Sequence, residues 1–167
     1  GGSGSLTLLG ETSQVTSQEG IIIGDQGEGR LEVKSGALTG KTISLGQQTT
    51  GTGTLIIQGM RSTVNSLSSF VVGKNGSGSI IQNNGVVNIT TTLTLAEASN
   101  SNGSYTLNGG VLQANTIRKG LGTSVLNLQG GVLKAERIEG DVINTGTTIS
   151  PGNSPGVTYI TGTYEQQ

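Results

Sequence analysis

Short stretches of alternating apolar and polar residues, separated by Gly, Asn and Ser, recur along the whole chain. The first apolar residues of these stretches recur at intervals of about 24 to 25 residues, at Leu6, Leu31, Leu55, Ile80 and Tyr105. A shorter final step of about 21 residues aligns Leu107 with Leu128. The recurring phrase reads GSLTLLG from Gly4, GRLEVKSG from Gly29, GTLIIQG from Gly53, GSIIQNNG from Gly78, GSYTLNGG from Gly103 and TSVLNLQGG from Thr123. A second apolar phrase follows each first one, at Ile21, Thr42, Phe70, Leu93, Asn115 and Glu136. A repeat of about 20 to 50 residues is typical of solenoids, propellers and arrays.

The length of the unit selects among these architectures. Propeller blades need about 40 residues and ankyrin units about 33, with helical patterns that this chain lacks. Units of about 21 to 25 residues with short alternating segments are typical of one coil of a parallel β-helix. We therefore predict an all-β fold, a parallel β-helix (β-solenoid) of about six coils, with a core roughly 30 Å long at about 4.8 Å per coil.

One unit illustrates the expected layout. Between Ser104 and Ile117 we expect a strand YTL, a turn NGG, a strand VLQA and a strand TI. Glycine at the turns allows a positive φ, and amide side chains follow the first strand of four units in register. Such amides form hydrogen-bonded ladders when they stack. The side chains expected to point inward are Tyr105, Leu107, Val111, Ala114 and Ile117, and the stacked amides are Gln58, Asn83, Asn108 and Gln129.

Asn-Gly pairs also support an antiparallel alternative. QNNG and LNGG are strong hairpin signals, so the same strands could form a sandwich of hairpins. The regular interval favours coils, because a hairpin sandwich has no reason to repeat its sequence at a fixed spacing.

Composition excludes several kinds of chemistry. The chain has 30 Gly, no Cys, no Trp and no His, and only 11% of its residues are charged, against about 25% in ordinary domains. It therefore has no zinc site of the usual kind, no thiol nucleophile and no imidazole base. A net charge of -1 and few aromatic residues argue against nucleic acid as a partner. No apolar run is long enough to cross a bilayer, and no cofactor is expected.

Both prolines of the chain, Pro151 and Pro155, lie in one segment near its end, ISPGNSPGVTYITGTYEQQ. Proline fixes φ and lacks an N–H donor, so this segment interrupts a regular strand ladder. We expect a rigid corner in which Asn153 bonds to neighbouring backbone groups, while Gly152 and Gly156 adopt the unusual dihedral angles. The corner precedes the last strand-forming run of the chain.

This segment resembles the consensus that ends the repeat region of bacterial autotransporter passenger domains and of related proteins with autotransporter-associated β-strand repeats. GSGSIIQNNGVVNI and GSYTLNGGVLQANTI resemble those repeats as well, so the similarity extends roughly from Gly20 to Gln167. The resemblance implies a right-handed parallel β-helix, secretion across the outer membrane, and a role at the bacterial cell surface.

Charged clusters are the remaining candidates for catalysis. Glu136, Glu139 and Asp141 lie close together in sequence, with Arg137 or Lys134 as a nearby base, as in β-helix enzymes that cleave acidic polysaccharides with carboxylate-bound calcium. They alternate with apolar residues, however, which is typical of a solvent-facing strand. The same applies to the loop cluster of Asp25, Glu28 and Arg30, so we assign no catalytic and no metal-binding residue.

The sequence thus predicts a non-enzymatic extracellular segment that acts as a stalk, an adhesin passenger or a self-associating filament or surface-layer unit. The open ends of the stack leave end-to-end self-association available, and a host-surface or glycan ligand is compatible with the polar faces. The alternative is a polysaccharide-binding or polysaccharide-cleaving module, although Phe70, Tyr105, Tyr159 and Tyr164 fall in different phases of the repeat. We expect a linker or cut edge at 1–5, regular coils at 6–140 and a terminal coil at 141–167.

Overall fold

The computed structural model describes residues 1–152 and 156–167, which form β-strands joined by turns. Alternation of apolar and polar residues places one side of each strand in the interior and the other in solvent. In chain order the strands are β1 (Ser3–Leu8), β2 (Gln14–Ile23), β3 (Glu28–Val33), β4 (Gly36–Leu45), β5 (Thr52–Ile57), β6 (Ser62–Ser66), β7 (Phe70–Val72), β8 (Ser77–Gln82), β9 (Val86–Leu95), β10 (Asn102–Leu107), β11 (Val111–Lys119), β12 (Thr123–Leu128), β13 (Val132–Glu139), β14 (Val142–Asn144), β15 (Thr148–Ser150), β16 (Tyr159–Ile160) and β17 (Tyr164–Gln166).

The strands stack in parallel, each on its counterpart one turn earlier. One sheet has the order β1-β3-β5-β8-β10-β12-β14-β17, and the other contains the remaining strands. All ladders among the described residues are parallel, which confirms the β-solenoid and excludes the antiparallel hairpin sandwich. The eight strands of the first sheet define about seven turns, close to the expected six. The added turn comes from the chain after β12, where the repeated phrase is absent.

Each turn of the solenoid has three strand segments. We call the first sheet face 1. The long strands of the second sheet carry a shift in register near their middle, between Ser17 and Gly20 in β2 and between Ala114 and Thr116 in β11. Their first halves, with β6 and β15, form face 2, and their second halves, with β7 and β16, form face 3. This agrees with the three strands predicted for the unit that begins at Ser104.

Like side chains stack in the core. The first apolar column is Leu6, Leu31, Leu55, Ile80, Tyr105 and Leu126, and the second is Ile21, Ile43, Phe70, Leu93, Ile117 and Ile138. Leu107 pairs with Leu128, so the register predicted from the repeat is confirmed. Burying one such side chain stabilises the fold by about 1.5–3 kcal/mol. Each buried position in these columns therefore contributes to the apolar stabilisation of the fold.

One inward residue was predicted wrongly. Val111 is only half-buried, and its neighbour Leu112 fills the core with no exposed area. Gly110, with φ of 78°, turns the chain just before β11 and sets which residue of the strand faces inward. The other four expected inward residues of this unit, Tyr105, Leu107, Ala114 and Ile117, are buried.

A column of left-handed residues forms the corner between face 3 and face 1. Gly24, Gly46 and Gly73 have φ of 72°, 63° and 77°, and Ala96 occupies the same position with φ of 56°. Their backbone N–H groups stack as well: the Gly46, Gly73 and Ala96 amides each donate to a carbonyl oxygen of the preceding turn, at 3.0, 2.9 and 2.8 Å. Ala96 is therefore a side-chain-bearing residue in a conformation that favours glycine.

The two ends of the chain differ from the expected segmentation in one respect. Within the segment 1–5, which we expected to be a linker or cut edge, Ser3, Gly4 and Ser5 belong to β1 and pair with Glu28, Gly29 and Arg30. At the other end, β14 to β17 form one further turn, in which β17 pairs with β14. In the described part of the chain, we find no helix with the length and apolar character that crossing a membrane requires.

Candidate functional site

The outward side chains of face 1 form ladders of hydroxyl and amide groups. The Ser104 hydroxyl donates to the Ser79 hydroxyl at 3.1 Å, and the Asn127 amide donates to the Thr106 hydroxyl at 3.2 Å. The two members of each pair occupy the same position in successive turns. The side chains of this face are thus held in a regular array by the strand register below them.

A second ladder lies on face 2 and was not anticipated from the sequence. The Asn88 amide donates to Asn65 Oδ1 at 3.1 Å, and the Asn65 amide donates to Thr39 Oγ1 at 3.3 Å. Asn88 then lines a shallow cavity of about 300 Å³ with Thr90, Gln113 and Asn115. Asn65, Asn88 and Gln113 recur at nearly the interval of the repeat, and this spacing is the signal that could have predicted the ladder.

The four amides expected to stack at the corner after face 1 are all exposed. The backbone N–H groups of Gln58, Asn83, Asn108 and Gln129 donate to the preceding turn at 2.8 to 3.0 Å, which places them in one column. One side-chain rung is present, from Asn108 Nδ2 to Asn83 Oδ1 at 2.8 Å.

The terminal corner is described only in part. β15 ends at Ser150, directly before Pro151, and the Ser150 hydroxyl donates to the Pro151 carbonyl oxygen at 3.4 Å. Gly152, where we expected unusual dihedral angles, does not have a φ in the left-handed range, and Gly156 is exposed. Asn153 and Pro155 lie outside the described residues.

A buried polar cluster near this corner was missed in the sequence. Asn144 stacks on Leu128 in the core and is only 2% exposed. Its Nδ2 donates to the Thr147 carbonyl oxygen at 2.7 Å, to the Tyr164 hydroxyl at 3.1 Å and to Gln166 Oε1 at 3.0 Å. Its Oδ1 accepts from the Thr147 N–H at 2.8 Å. The amide therefore ties the last two turns together where the apolar column ends.

A second buried polar pair lies in the middle of the core. Tyr105 and Gln82 are fully buried, and the Tyr105 hydroxyl donates to Gln82 Oε1. Gln82 Nε2 donates in turn to the carbonyl oxygens of Val111 and Gly85, at 3.0 and 3.2 Å. Burial raises the pKa of the Tyr105 hydroxyl well above its ordinary value. The pair is fully hydrogen-bonded, as a buried polar group requires.

The structure separates the charged residues considered for catalysis. Lys134 lies on face 2, whereas Arg137 and Glu139 lie on face 3. Hydrogen bonds from the Thr163 N–H and hydroxyl to Asp141 Oδ1, at 2.8 and 2.9 Å, hold the pKa of that carboxyl below its usual range. Among the described residues, no group of three or more acidic side chains is placed to hold a metal ion.

The loop cluster near Asp25 also spreads over the surface. Arg30 and Glu32 both point outward from β3 and form an ion pair at 3.6 Å, and Lys34 approaches Glu32 at 3.7 Å. Glu28 pairs with Ser3 at the start of the strand. Exposed pairs of this kind contribute about 0–1 kcal/mol each, so they are surface features of the first turns.

A concave surface lies on face 3. Its cavity of about 450 Å³ is lined by both charged and hydroxyl side chains, including Glu19, Thr42, Ser44, Gln47, Lys74 and Glu97. The aromatic residues do not line it: Phe70 and Tyr105 are buried in the core, while Tyr159 and Tyr164 lie on different faces near the end of the chain. The groove therefore offers hydrogen-bonding groups without a row of stacking rings.

Comparison with known proteins adds no relative: no family model, no curated protein and no solved structure matches the chain.

Proposed function

We propose that the chain is a rigid, non-catalytic segment of a secreted or surface-exposed bacterial protein, in which it holds other regions at a distance. The observation that carries the proposal is the parallel stack of strands from β1 to β17 in the described residues, with one hydrophobic core and a face 1 strand in every turn. Seven steps of about 4.8 Å give a length of about 34 Å between the first and last strands.

The polar outer faces support the same role. The outer faces carry few charges and present stacked hydroxyl and amide groups, which keep the surface hydrated. A spacer needs no more specific arrangement of reactive groups than this. The resemblance of SPGNSPG and the upstream repeats to autotransporter passenger domains supports export to the cell surface, as a stalk, an adhesin passenger or a unit that self-associates end to end.

Rigidity is testable by distance measurement because the chain has no cysteine. Thr7 and Glu165 directly precede Leu8 and Gln166, which end one column of paired residues seven steps long. Spin labels at Thr7→Cys and Glu165→Cys should give a narrow distribution centred at about 34 Å. The matched pair Thr7→Cys and Thr106→Cys, four steps apart, should give one centred at about 19 Å. A broad distribution for the long pair together with a narrow one for the short pair would contradict a rigid spacer.

Surface display needs a separate test. Antibodies raised against the purified chain should label intact cells of the producing bacterium. Labelling that requires permeabilised cells would refute export while leaving the rigid-rod result untouched.

The groove on face 3 favours a second candidate, a polysaccharide-binding or polysaccharide-cleaving module. Lys74, Gln47 and Glu97 supply the charged and amide groups that a sugar or uronic acid needs. Binding to a panel of neutral and acidic polysaccharides, weakened by Lys74→Ala and unchanged by Lys134→Ala on face 2, would support it. A panel with no binding and no new reducing or unsaturated ends would eliminate it.

A further inference from the structure

Four asparagines in the middle of the chain are directly followed by glycine, at Asn75, Asn84, Asn102 and Asn108. Such a pair is chemically labile, because the backbone nitrogen of a residue without a side chain can approach and attack the asparagine side-chain amide. The attack requires a backbone N–H that is free to approach and an amide group that is free to leave. The four pairs can therefore be compared by the contacts that hold these two groups.

Two of the pairs are held at both groups by the preceding turn. The Gly76 N–H donates to the Gly46 carbonyl oxygen at 2.9 Å, and Asn75 Nδ2 donates to the Gln47 carbonyl oxygen at 2.8 Å. The pair at Asn108 is held in the same way. Its two hydrogen bonds run from the Gly109 N–H to the Gln82 carbonyl oxygen at 3.3 Å and from Asn108 Nδ2 to Asn83 Oδ1 at 2.8 Å.

The pair at Asn102 is held by a strand. Gly103 belongs to β10 and lies between Gly78 and Ser124 in the ladders of the neighbouring turns. Asn102 Nδ2 lies 3.5 Å from the Ser77 hydroxyl oxygen. The backbone at this pair is therefore fixed in an extended conformation.

The pair at Asn84 differs in both respects. The Gly85 N–H donates to Asn84 Oδ1 at 3.0 Å, and it has no backbone acceptor among the described residues. In the same part of the chain, Asn84 Nδ2 has no hydrogen-bond acceptor. The attacking nitrogen thus lies beside the side-chain carbonyl group, and the leaving amide is not retained. Asn84 is partly exposed, so water reaches it.

We propose that Asn84 is a site of spontaneous deamidation, at which the chain modifies itself without an enzyme. The Gly85 nitrogen attacks Asn84 Cγ, the Cγ–Nδ2 bond breaks, and the Gly85 N–H proton leaves with the amide group as ammonia. The resulting succinimide takes up one water molecule, which opens the ring to aspartate or to isoaspartate. Either product replaces a neutral amide by a carboxylate, and no electrons are transferred.

The isoaspartate product changes the corner between β8 and β9, because it routes the backbone through the side chain and adds one carbon before Gly85. Gly85 has φ of 75°, and a Cβ there would lie 2.5 Å from the Ser62 carbonyl oxygen, so the corner has no room for a longer backbone. The Gly85 carbonyl oxygen accepts from the Val111 N–H at 2.9 Å and from Gln82 Nε2 at 3.2 Å. Gln82 in turn accepts from the buried Tyr105 hydroxyl. A shift of this corner therefore disturbs the polar pair inside the core.

The chain contains its own controls, because one tryptic peptide, residues 75–118, carries all four pairs. After incubation of the folded protein in mildly alkaline buffer, peptide mapping by mass spectrometry should find deamidation about tenfold or more faster at Asn84 than at any other pair, because the others must first break the hydrogen bonds that hold them. In urea the four rates should become similar. Because Gly85 is buried, the rate at Asn84 should be lower in the folded protein than in urea.

Two results would overturn the assignment of this site. One is a rate at another pair that equals or exceeds the rate at Asn84 in the folded protein. The other is an equal preference for Asn84 in urea, because that preference would come from the local sequence and not from the fold. The variant Asn84→Gln, whose longer side chain cyclises far more slowly, should lose the early product.

The effect on the corner is tested on the aged protein. Ion exchange separates the deamidated chains by their added negative charge, and fragmentation identifies the isoaspartate fraction. The midpoint of thermal unfolding of this fraction should lie below that of Asn84→Asp, which carries the same charge on an unaltered backbone. An isoaspartate fraction as stable as Asn84→Asp would overturn the proposed effect on the corner.

Discussion

The turns up to β12 and the turns after it are stabilised by different kinds of contact. Up to β12, strands of equal length on face 1 recur once per turn, and the side chains that stack in the core are mostly aliphatic or aromatic. After β13 the described strands have only two or three residues each, and a buried amide, Asn144, joins the turns through several hydrogen bonds. The comparison shows that repetition stabilises the first region redundantly, whereas the second depends on a few individual contacts.

The largest expected effect breaks the regular region. Leu55→Ala removes a fully buried side chain between Leu31 and Ile80, and we expect it to lower the free energy of unfolding by about 2–5 kcal/mol. Ile149→Ala, at a half-buried position after β12, should lower the free energy of unfolding by only about 1 kcal/mol, because the truncation removes less buried apolar area. Urea unfolding of both variants measures the difference, and equal losses would show that the two regions do not differ in packing.

A smaller effect concerns the polar pair inside the regular region. Tyr105→Phe leaves Gln82 Oε1 without its donor and should cost about 1–2 kcal/mol near neutral pH. The raised pKa of Tyr105 means that the folded state holds this proton more tightly than the unfolded chain, whose tyrosines titrate near pH 10. The stabilisation is therefore complete below about pH 10 and declines as the pH rises further.

Urea unfolding at a series of pH values tests this dependence. The native chain should lose stability more steeply above about pH 10 than Tyr105→Phe, so the two curves should converge. Parallel curves over that range would mean that Tyr105 ionises as easily in the folded state as in the unfolded one.

The smallest expected effect concerns the corner column of left-handed residues that contains Ala96. Ala96→Gly relieves a left-handed conformation at a position where three other turns have glycine. The substitution also removes a buried methyl group, and we expect the net free energy of unfolding to rise by up to about 1 kcal/mol. Gly73→Ala is the matched opposite: its Cβ would overlap the Asn102 carbonyl oxygen and should destabilise the fold. Thermal unfolding of the two variants should shift the midpoint in opposite directions, and a lower midpoint for Ala96→Gly would contradict this account.

The sequence predicts the regular region well because each turn repeats the previous one. The stacking of Leu31, Leu55 and Ile80 follows directly from their spacing, since identical register brings identical positions together. The inward role of Leu112 could not be read in this way, because it depends on the dihedral angles of Gly110. Asn144 was missed for a related reason: it occurs once, outside any repeat, and only the shortened step from Leu128 places it in the core.

The equivalence of Gly53, Gly78 and Gly103 has a consequence for how such a molecule changes length. All three glycines occupy one position in successive turns, and a Cβ at any of them would overlap backbone atoms of the neighbouring corner. A genetic crossover that joins one of these positions to the next removes or duplicates a whole turn and leaves every remaining residue beside the same kind of neighbour. The length of the stack can therefore change in increments of about 4.8 Å.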